Sequence, residues 1–149
     1  MTADLKFDYN NPYLKQFSVT ADQIDGLGHT NNQVYVNWCQ DTAWAHSKSL
    51  GINLQDYQNL QRAMAIRHAS YDYLQASYLG EPVCVATWIT HCDRRLSLER
   101  QFQVFNSRSG TLLCRAKLQF VCINLTNGKP ARMPSLFKEG YGNAMVQAL

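Results

Sequence analysis

The chain has 149 residues, of which 46% are hydrophobic and 17% charged, a composition typical of one globular domain rather than a disordered segment. Lysine and arginine together number 14 and aspartate and glutamate 11, and the net charge of +3 is too small to predict nucleic-acid binding by itself. No apolar run approaches the roughly 18 residues of a membrane span, and residues 1–8 lack a signal-peptide pattern, so we expect a soluble cytoplasmic protein.

The first half of the chain is predicted to hold one strand and one long helix. After the structure-breaking Asn10–Pro12, apolar and polar residues alternate over residues 13–21, the pattern of a strand. Residues 31–50 contain neither glycine nor proline and are followed by Gly51, a residue type common just after helix ends. Apolar residues there recur every three or four positions, and Trp44 lies outside that stripe. This predicts a helix buried on more than one side.

The second half of the chain is predicted to hold a short helix or loop, four strands and a second short helix. Residues 53–61 are polar and predict the short helix or loop, and Pro134–Ser135 marks the start of a C-terminal helix. The four candidate strands cover residues 63–74, 83–90, 96–104 and 112–125. Glycine-, proline- or asparagine-containing turns separate most of them, and short connections favour antiparallel neighbours.

This order of elements predicts an α+β fold within a single domain spanning residues 1–149. About five antiparallel strands would form a curved sheet wrapped around one long central helix, with a short C-terminal helix beside it. One helix covers only one face of such a sheet, so the other face or an edge is expected to meet a partner subunit.

The cysteines and histidines do not predict a metal site. The chain has 5 cysteines, at positions 39, 84, 92, 114 and 122, and no Cys-x-x-Cys pair. An odd number without that spacing favours reduced, buried thiols over a disulfide framework or a zinc cage. Cys39 and His46 are seven positions apart on the helix, which places them out of reach for a nucleophile and its base.

The segment before the long helix carries the strongest candidate for a reaction centre. Residues 25–38 read Asp-Gly-Leu-Gly-His-Thr-Asn-Asn-Gln-Val-Tyr-Val-Asn-Trp, a carboxylate followed by a glycine-containing turn and two asparagines. A carboxylate facing a helix N-terminus can act as base or nucleophile, while free backbone N–H groups hold a developing oxyanion. Asp25 is also compatible with a purely structural role in the turn. His29 could either orient Asp25 or hold the loop. Asp22 is a rival carboxylate that is expected to face solvent.

Three segments resemble the hotdog-fold thioesterases, and in particular the 4-hydroxybenzoyl-CoA thioesterase-like group. Asp25–Tyr35 is similar to the family's Asp-x-x-Gly-(His)-x-x-Asn-x-x-Tyr segment, Tyr73–Val83 to its strand-to-strand turn, and Arg94–Ser97 to a place where members often carry a basic pair and a serine. The likeness extends over residues 13–132. It implies a homodimer or homotetramer with active sites at the subunit interface. The implied reaction hydrolyses an acyl or aroyl thioester of CoA, or of an acyl-carrier protein, without a metal or bound cofactor.

The resemblance also assigns roles to particular residues. Asp25 would be the catalytic base or nucleophile, and the backbone N–H of Asn32 would be the oxyanion donor, with His29 a weaker catalytic candidate. Arg94 and Arg95 would contact the phosphates of CoA, since the guanidinium fork matches phosphate oxygens. Tyr35 belongs to an apolar set expected in the core, part of which would line an acyl tunnel.

Two other functions stay open at this point. A hotdog enoyl-thioester hydratase also pairs an aspartate with a nearby histidine, here Asp25 and His29, and would leave the thioester intact. A hotdog domain that binds acyl-CoA without turnover is the second, and the presence of Asp25 counts against it.

Overall fold

A computed structural model describes residues 4–147, which contain a five-stranded antiparallel sheet and three α-helices. The strands are β1 (Tyr13–Ser18), β2 (Arg62–Tyr73), β3 (Pro82–Cys92), β4 (Ser97–Asn106) and β5 (Leu112–Asn124). The helices are α1 (Asn32–Ser49), α2 (Leu54–Leu60) and α3 (Ser135–Asn143), and a 3-10 turn covers Ala21–Gln23. The predicted strand number, long helix and C-terminal helix are therefore confirmed.

None of the helices described between residues 4 and 147 is both long enough and apolar enough to cross a membrane.

The order of strands in the sheet is β1-β3-β4-β5-β2. The short turns join antiparallel neighbours in β3–β4 and β4–β5, as predicted. The same expectation is wrong for β2 and β3, because β2 pairs with β5 at the far edge and β1 pairs with β3. Residues 74–81 cross three strand spacings, about 14 Å, which eight extended residues span easily at roughly 3.3 Å each. That crossing passes the start of α1.

Helix α1 lies on one face of the sheet and has defined ends. The Asn31 side chain caps its N-terminus by accepting a hydrogen bond from the Gln33 N–H at 2.9 Å. Gly51 follows its end with φ 85°, a conformation that glycine adopts without steric cost. The buried side chains of α1 include Tyr35, Trp38, Cys39, Thr42 and His46. On another side Trp44 contacts Tyr57 of α2, with ring centroids 5.1 Å apart, so the helix is buried on more than one side as predicted.

The opposite face of the sheet is partly covered by the chain's own N-terminal segment. Phe7 packs edge-to-face on Trp88 at 6.0 Å and on Phe105 at 5.6 Å. Asp8 accepts hydrogen bonds from the Arg115 guanidinium at 2.9 Å. The face opposite α1 is therefore not left entirely open. All five cysteines lie within the described residues, are buried and do not pair with one another.

Candidate active site

Asp25 lies in a tight loop between the 3-10 turn and α1. Its backbone N–H donates to the His29 carbonyl oxygen at 2.8 Å, and the Gly28 N–H returns to the Asp25 carbonyl oxygen at 3.1 Å. The carboxylate Oδ1 accepts from the backbone N–H groups of Leu27 and His29 at 2.9 and 3.2 Å. The hydrogen bonds formed within residues 4–147 do not involve Oδ2. One oxygen thus holds the loop, and the other is free to meet a reacting group.

The backbone N–H of Asn32 is an unused donor at the first residue of α1. Its neighbours are occupied: the Asn31 N–H donates to the Gln23 carbonyl at 2.8 Å, the Gln33 N–H to the Asn31 side chain, and the Val34 N–H to the Asn31 carbonyl at 2.9 Å. No hydrogen bond joins the Asn32 N–H to any residue of the described range. The first N–H groups of a helix carry its partial positive charge, so this donor suits a developing oxyanion.

The side chain of Tyr35 links the crossing segment, residues 74–81, to the start of α1. Its buried hydroxyl lies 2.7 Å from the Ser77 Oγ, which donates to the Thr30 Oγ1 at 2.6 Å. The Thr30 N–H donates to the Ser77 carbonyl at 2.9 Å. Burial raises the pKa of Tyr35, so the phenol stays protonated and can donate. Tyr35 is not among the residues that line the cavity described below, and its hydroxyl connects the start of α1 to Ser77.

Removing the Tyr35 hydroxyl is expected to weaken this connection. In Tyr35→Phe the free energy of unfolding, measured by urea denaturation, should fall by about 1 kcal/mol because one buried hydrogen bond is lost. Tyr78→Phe is the matched control, since Tyr78 is 50% exposed and its hydroxyl bonds to no residue of the described range. Equal stability of Tyr35→Phe and the wild type would show that the bond contributes nothing.

His29 and Asp22 lie close to Asp25 in the chain but do not bond its carboxylate through their side chains. The His29 ring packs edge-to-face on Tyr78 with centroids 5.4 Å apart, and only its backbone contacts Asp25 Oδ1. Asp22 is exposed and accepts from the Thr20 hydroxyl, so the prediction that it faces solvent is confirmed. Within the described residues, histidine, cysteine and acidic side chains form no group of three or more that could hold a metal ion.

Arg94 and Arg95 lie at the opposite end of the sheet from Asp25. They occupy the turn that follows β3. Strand β3 begins near Ser77, close to the Asp25 loop, and its 11 residues extend over roughly 35 Å before this turn. The Arg94 guanidinium donates to the Lys138 carbonyl at 3.2 Å and to Asn143 Oδ1 at 3.1 Å, which ties the turn to α3. The Arg95 side chain is exposed. Within one protomer, the structure does not bring this basic pair together with Asp25 and Asn32.

A cavity of 340 Å³ lies between α1 and the strands β2 and β5. Val36, Gln40, Ala43, Trp44 and Ser47 form its helical side, a stretch of roughly 17 Å at 1.5 Å per residue. Most of the remaining wall is apolar and comprises Met64, Ile66, Tyr71, Leu98, Leu118 and Phe120. The wall is completed by Arg100, Tyr57 and Tyr141. The cavity therefore has a long apolar part and a polar region. Val36 is about one helical turn from Asn32, which places the cavity beside the candidate reaction centre.

Arg100 is a buried functional candidate that sequence reasoning missed. It is 2% exposed, and its Nη1 donates to His46 Nδ1 at 2.8 Å and to Thr87 Oγ1 at 3.3 Å. Burial lowers its pKa to about 10, so it stays charged at neutral pH. Burial and the Arg100 charge lower the pKa of His46 to about 3, so His46 is a neutral acceptor. The sequence did carry one indication that Arg100 is buried. It falls between Leu98 and Phe102 on the alternating apolar face of β4.

The five-stranded antiparallel sheet with the long helix α1 on one face is the hotdog fold. A family model described as the thioesterase-like superfamily matches residues 19–141, and the chain belongs to that superfamily. This confirms the resemblance drawn from the sequence. No curated protein matches the chain significantly.

Solved structures show the same fold at low sequence identity. The 1,4-dihydroxy-2-naphthoyl-CoA thioesterase Slr0204 from Synechocystis is 22% identical, with a TM-score of 0.80 over 89% of this chain and 97% of that one. The hypothetical protein SAV2348 from Staphylococcus aureus, solved in complex with CoA, is 20% identical, with a TM-score of 0.81 over 97% and 90%. YbaW, a probable thioesterase from Escherichia coli, is 17% identical, with a TM-score of 0.76 over 91% and 99%. Likeness at this level establishes the fold.

Proposed function

We propose that this protein is an acyl-CoA thioesterase that hydrolyses an acyl or aroyl thioester to the free acid and CoA. The observation that carries the proposal is that one short segment leading into α1 holds both an Asp25 carboxylate oxygen without a hydrogen bond to any described residue and the unused backbone N–H of Asn32. Membership of the thioesterase-like superfamily supports thioester chemistry at this site. An apolar cavity beside the pair supports an acyl substrate.

The two groups divide the work of hydrolysis. The Asn32 N–H would bind the carbonyl oxygen as it becomes negative, and one such donor lowers the barrier by about 3 kcal/mol. Asp25 would take a proton from water while the water oxygen bonds to the carbonyl carbon; the tetrahedral intermediate then collapses, the C–S bond breaks, and the thiolate leaves and is protonated. Direct attack by Asp25 is the alternative: its carboxylate oxygen bonds to the carbonyl carbon, the C–S bond breaks and the thiolate leaves, and water then hydrolyses the mixed anhydride to the free acid and the Asp25 carboxylate.

We propose that a second copy of the chain completes the site through strand β2. This strand has 12 residues, lies at the edge of the sheet, and exposes residues 66–70. A long unpaired edge is a template for another strand, and the opposite edge strand β1 has only 6 residues. Antiparallel pairing of β2 with its copy would continue the sheet across a homodimer, which can pair further into a homotetramer. Ile66 lines the cavity and is 58% exposed, so the partner would also close the cavity.

We propose that Arg94 and Arg95 contact the phosphates of a CoA molecule bound at the partner's reaction centre. In one protomer they lie at the opposite end of β3 from the Asp25 loop. A two-fold dimer would reverse the direction of the second sheet and bring this end of it toward the partner's reaction centre. The S. aureus neighbour solved with CoA supports CoA as the carrier. No metal or bound cofactor enters the proposed reaction.

The basic pair gives a prediction that separates carrier binding from chemistry. Arg95→Ala is expected to raise KM about tenfold for CoA esters and to leave KM unchanged for N-acetylcysteamine thioesters, which lack phosphates. Arg94→Ala should act in the same direction but also lower stability, because Arg94 bonds α3. Steady-state thiol release measures both. An equal rise for the two kinds of ester would remove the phosphate contact.

The proposed activity is tested by free-thiol release from a panel of acyl- and aroyl-CoA esters that varies in chain length and ring content. Release of CoA from at least one ester is expected, and the preferred ester identifies the substrate class. Binding of esters without release, or hydration of an enoyl-CoA with its thioester intact, would contradict the proposal.

A further inference from the structure

Arg100 places a positive charge without a counter-ion at the wall of a largely apolar cavity. Arg100 is 2% exposed, and the ion pair formed within residues 4–147 joins Arg115 and Asp8 on the other face of the sheet. The cavity wall contains no aspartate or glutamate. Burial of a charge without a counter-ion is costly, so this arginine needs an explanation.

Part of the guanidinium is still available for hydrogen bonding. Nη1 is engaged by the neutral His46 and by Thr87, whereas Nε and Nη2 bond to no described residue. Trp88 Nε1 is the one side-chain polar atom in the described range that is both fully buried and without a partner. The free nitrogens of Arg100 are therefore not fully buried, and Arg100 is one of the residues that line the cavity.

Three hydroxyl groups lie in the same region of the cavity wall. Tyr141 Oη is 3.0 Å from Ser47 Oγ and 2.8 Å from Tyr57 Oη. These three hydroxyls have three protons for two mutual hydrogen bonds, so one proton is left to donate elsewhere. Burial raises the pKa of Tyr57, which keeps it a donor at neutral pH. The polar region thus presents a cation and a spare hydroxyl donor.

We infer that this cavity binds an acyl chain that ends in a carboxylate, so that the substrate class is the ω-carboxyacyl thioesters. The apolar wall contacts the methylene chain, and Arg100 with the Tyr57–Tyr141–Ser47 hydroxyls holds the terminal carboxylate. The inference rests on the proposed thioesterase function in one respect, which is that the ligand is taken to be the acyl part of a substrate. The anion-binding site itself is independent of it.

The position of the polar region favours a chain over a single aromatic ring. Val36, near the reaction centre, and Ser47, in the polar region, are 11 residues apart on α1, roughly 17 Å. An acyl group that ends in a methyl would leave Nε and Nη2 of the guanidinium without a partner. A site built to bond a polar group discriminates against an analogue that lacks it, because its own buried donors are then unsatisfied.

The test compares two esters of equal chain length, lauroyl-CoA and the mono-CoA ester of dodecanedioic acid. We expect the wild type to prefer the carboxylate-ended ester at least tenfold in kcat/KM, a typical effect of one charge-assisted hydrogen bond. Arg100→Met should abolish or reverse that preference, and methionine fits a buried site. Arg108→Met is the matched control, because Arg108 is exposed on the turn between β4 and β5 and lines no part of the cavity.

Binding of the free acids provides a second readout that does not depend on catalysis. Trp44 lines the cavity, so its fluorescence reports binding of dodecanedioic acid or lauric acid. The inference is supported if the wild type binds the diacid more tightly than lauric acid and Arg100→Met loses this difference. If that result is obtained but no ester is hydrolysed, only the proposed function fails. Hydrolysis without a preference for the carboxylate-ended ester, or no Arg100-dependent difference in binding of the acids, overturns the inference and leaves the thioesterase proposal to its own test.

Discussion

Asp25→Asn is expected to lower kcat/KM for thioester hydrolysis by about 10²- to 10⁴-fold, the usual loss on removing a general base, while the fold is retained. Asparagine keeps an Oδ1 that can accept from the Leu27 and His29 N–H groups, so the loop keeps its hydrogen bonds. What it lacks is the second, basic oxygen. Free-thiol release measures the loss, and thermal unfolding checks that stability is preserved.

Asp22→Asn is the matched control for that variant. Asp22 is exposed, three residues before Asp25, and belongs to the same stretch of chain, so its neutralisation changes the charge by the same amount. We expect activity close to that of the wild type. Full activity in Asp25→Asn, or an equal loss in Asp22→Asn, would remove Asp25 from the mechanism.

The second large effect concerns stability in acid, through His46. Its pKa is lowered to about 3 by burial and by the Arg100 charge, against about 6.5 in an unfolded chain. Between these values the unfolded state binds a proton that the folded state does not. The stability contribution is therefore fully present above about pH 6.5 and is lost as pH falls toward 3. The slope is about 1.4 kcal/mol per pH unit within that window.

His46→Gln should remove this slope, because glutamine accepts a hydrogen bond from Arg100 without titrating. Urea denaturation of wild type and variant at intervals from pH 7 to pH 4 isolates the effect, since contributions from the carboxylates cancel in the difference. The variant should lose roughly 2 to 3 kcal/mol less than the wild type between pH 6 and pH 4. His91→Gln is the control, since His91 is exposed, and should show the wild-type slope. Parallel curves for wild type and His46→Gln would contradict the buried, neutral state of His46.

The local elements of this fold were predictable because each is encoded in a short stretch of chain. Residues 31–50 contain no helix breaker, and their cap Asn31 and the following Gly51 fix the two ends of α1. Alternation of apolar and polar residues located the strands to within a few positions. The order of strands was not predictable in this way, because pairing of β2 with β5 joins residues far apart in sequence, and alternation carries no information about which partner is chosen.

The candidate site was predictable in part. The motif around Asp25 identified the loop and the helix start, since a carboxylate before glycines and a capping asparagine has a local signature. It did not indicate that one carboxylate oxygen is engaged by the loop and the other free, which depends on backbone geometry. Arg100 was missed because a charged residue within an alternating strand is expected to face solvent. Its position between Leu98 and Phe102 put it on the apolar face of β4, but the cavity at that face is formed with residues of α1, β2 and β5 that are distant in sequence.

The central claim is that a thioester is cleaved, and the most direct measurement is identification of the products. The preferred acyl-CoA ester would be incubated with the wild type in ¹⁸O-labelled water, quenched, and analysed by mass spectrometry. The account predicts free CoA and free acid in equal amounts, with the label in the carboxylate of the acid. An intact thioester, either unchanged or carrying added water on its acyl chain, would contradict it.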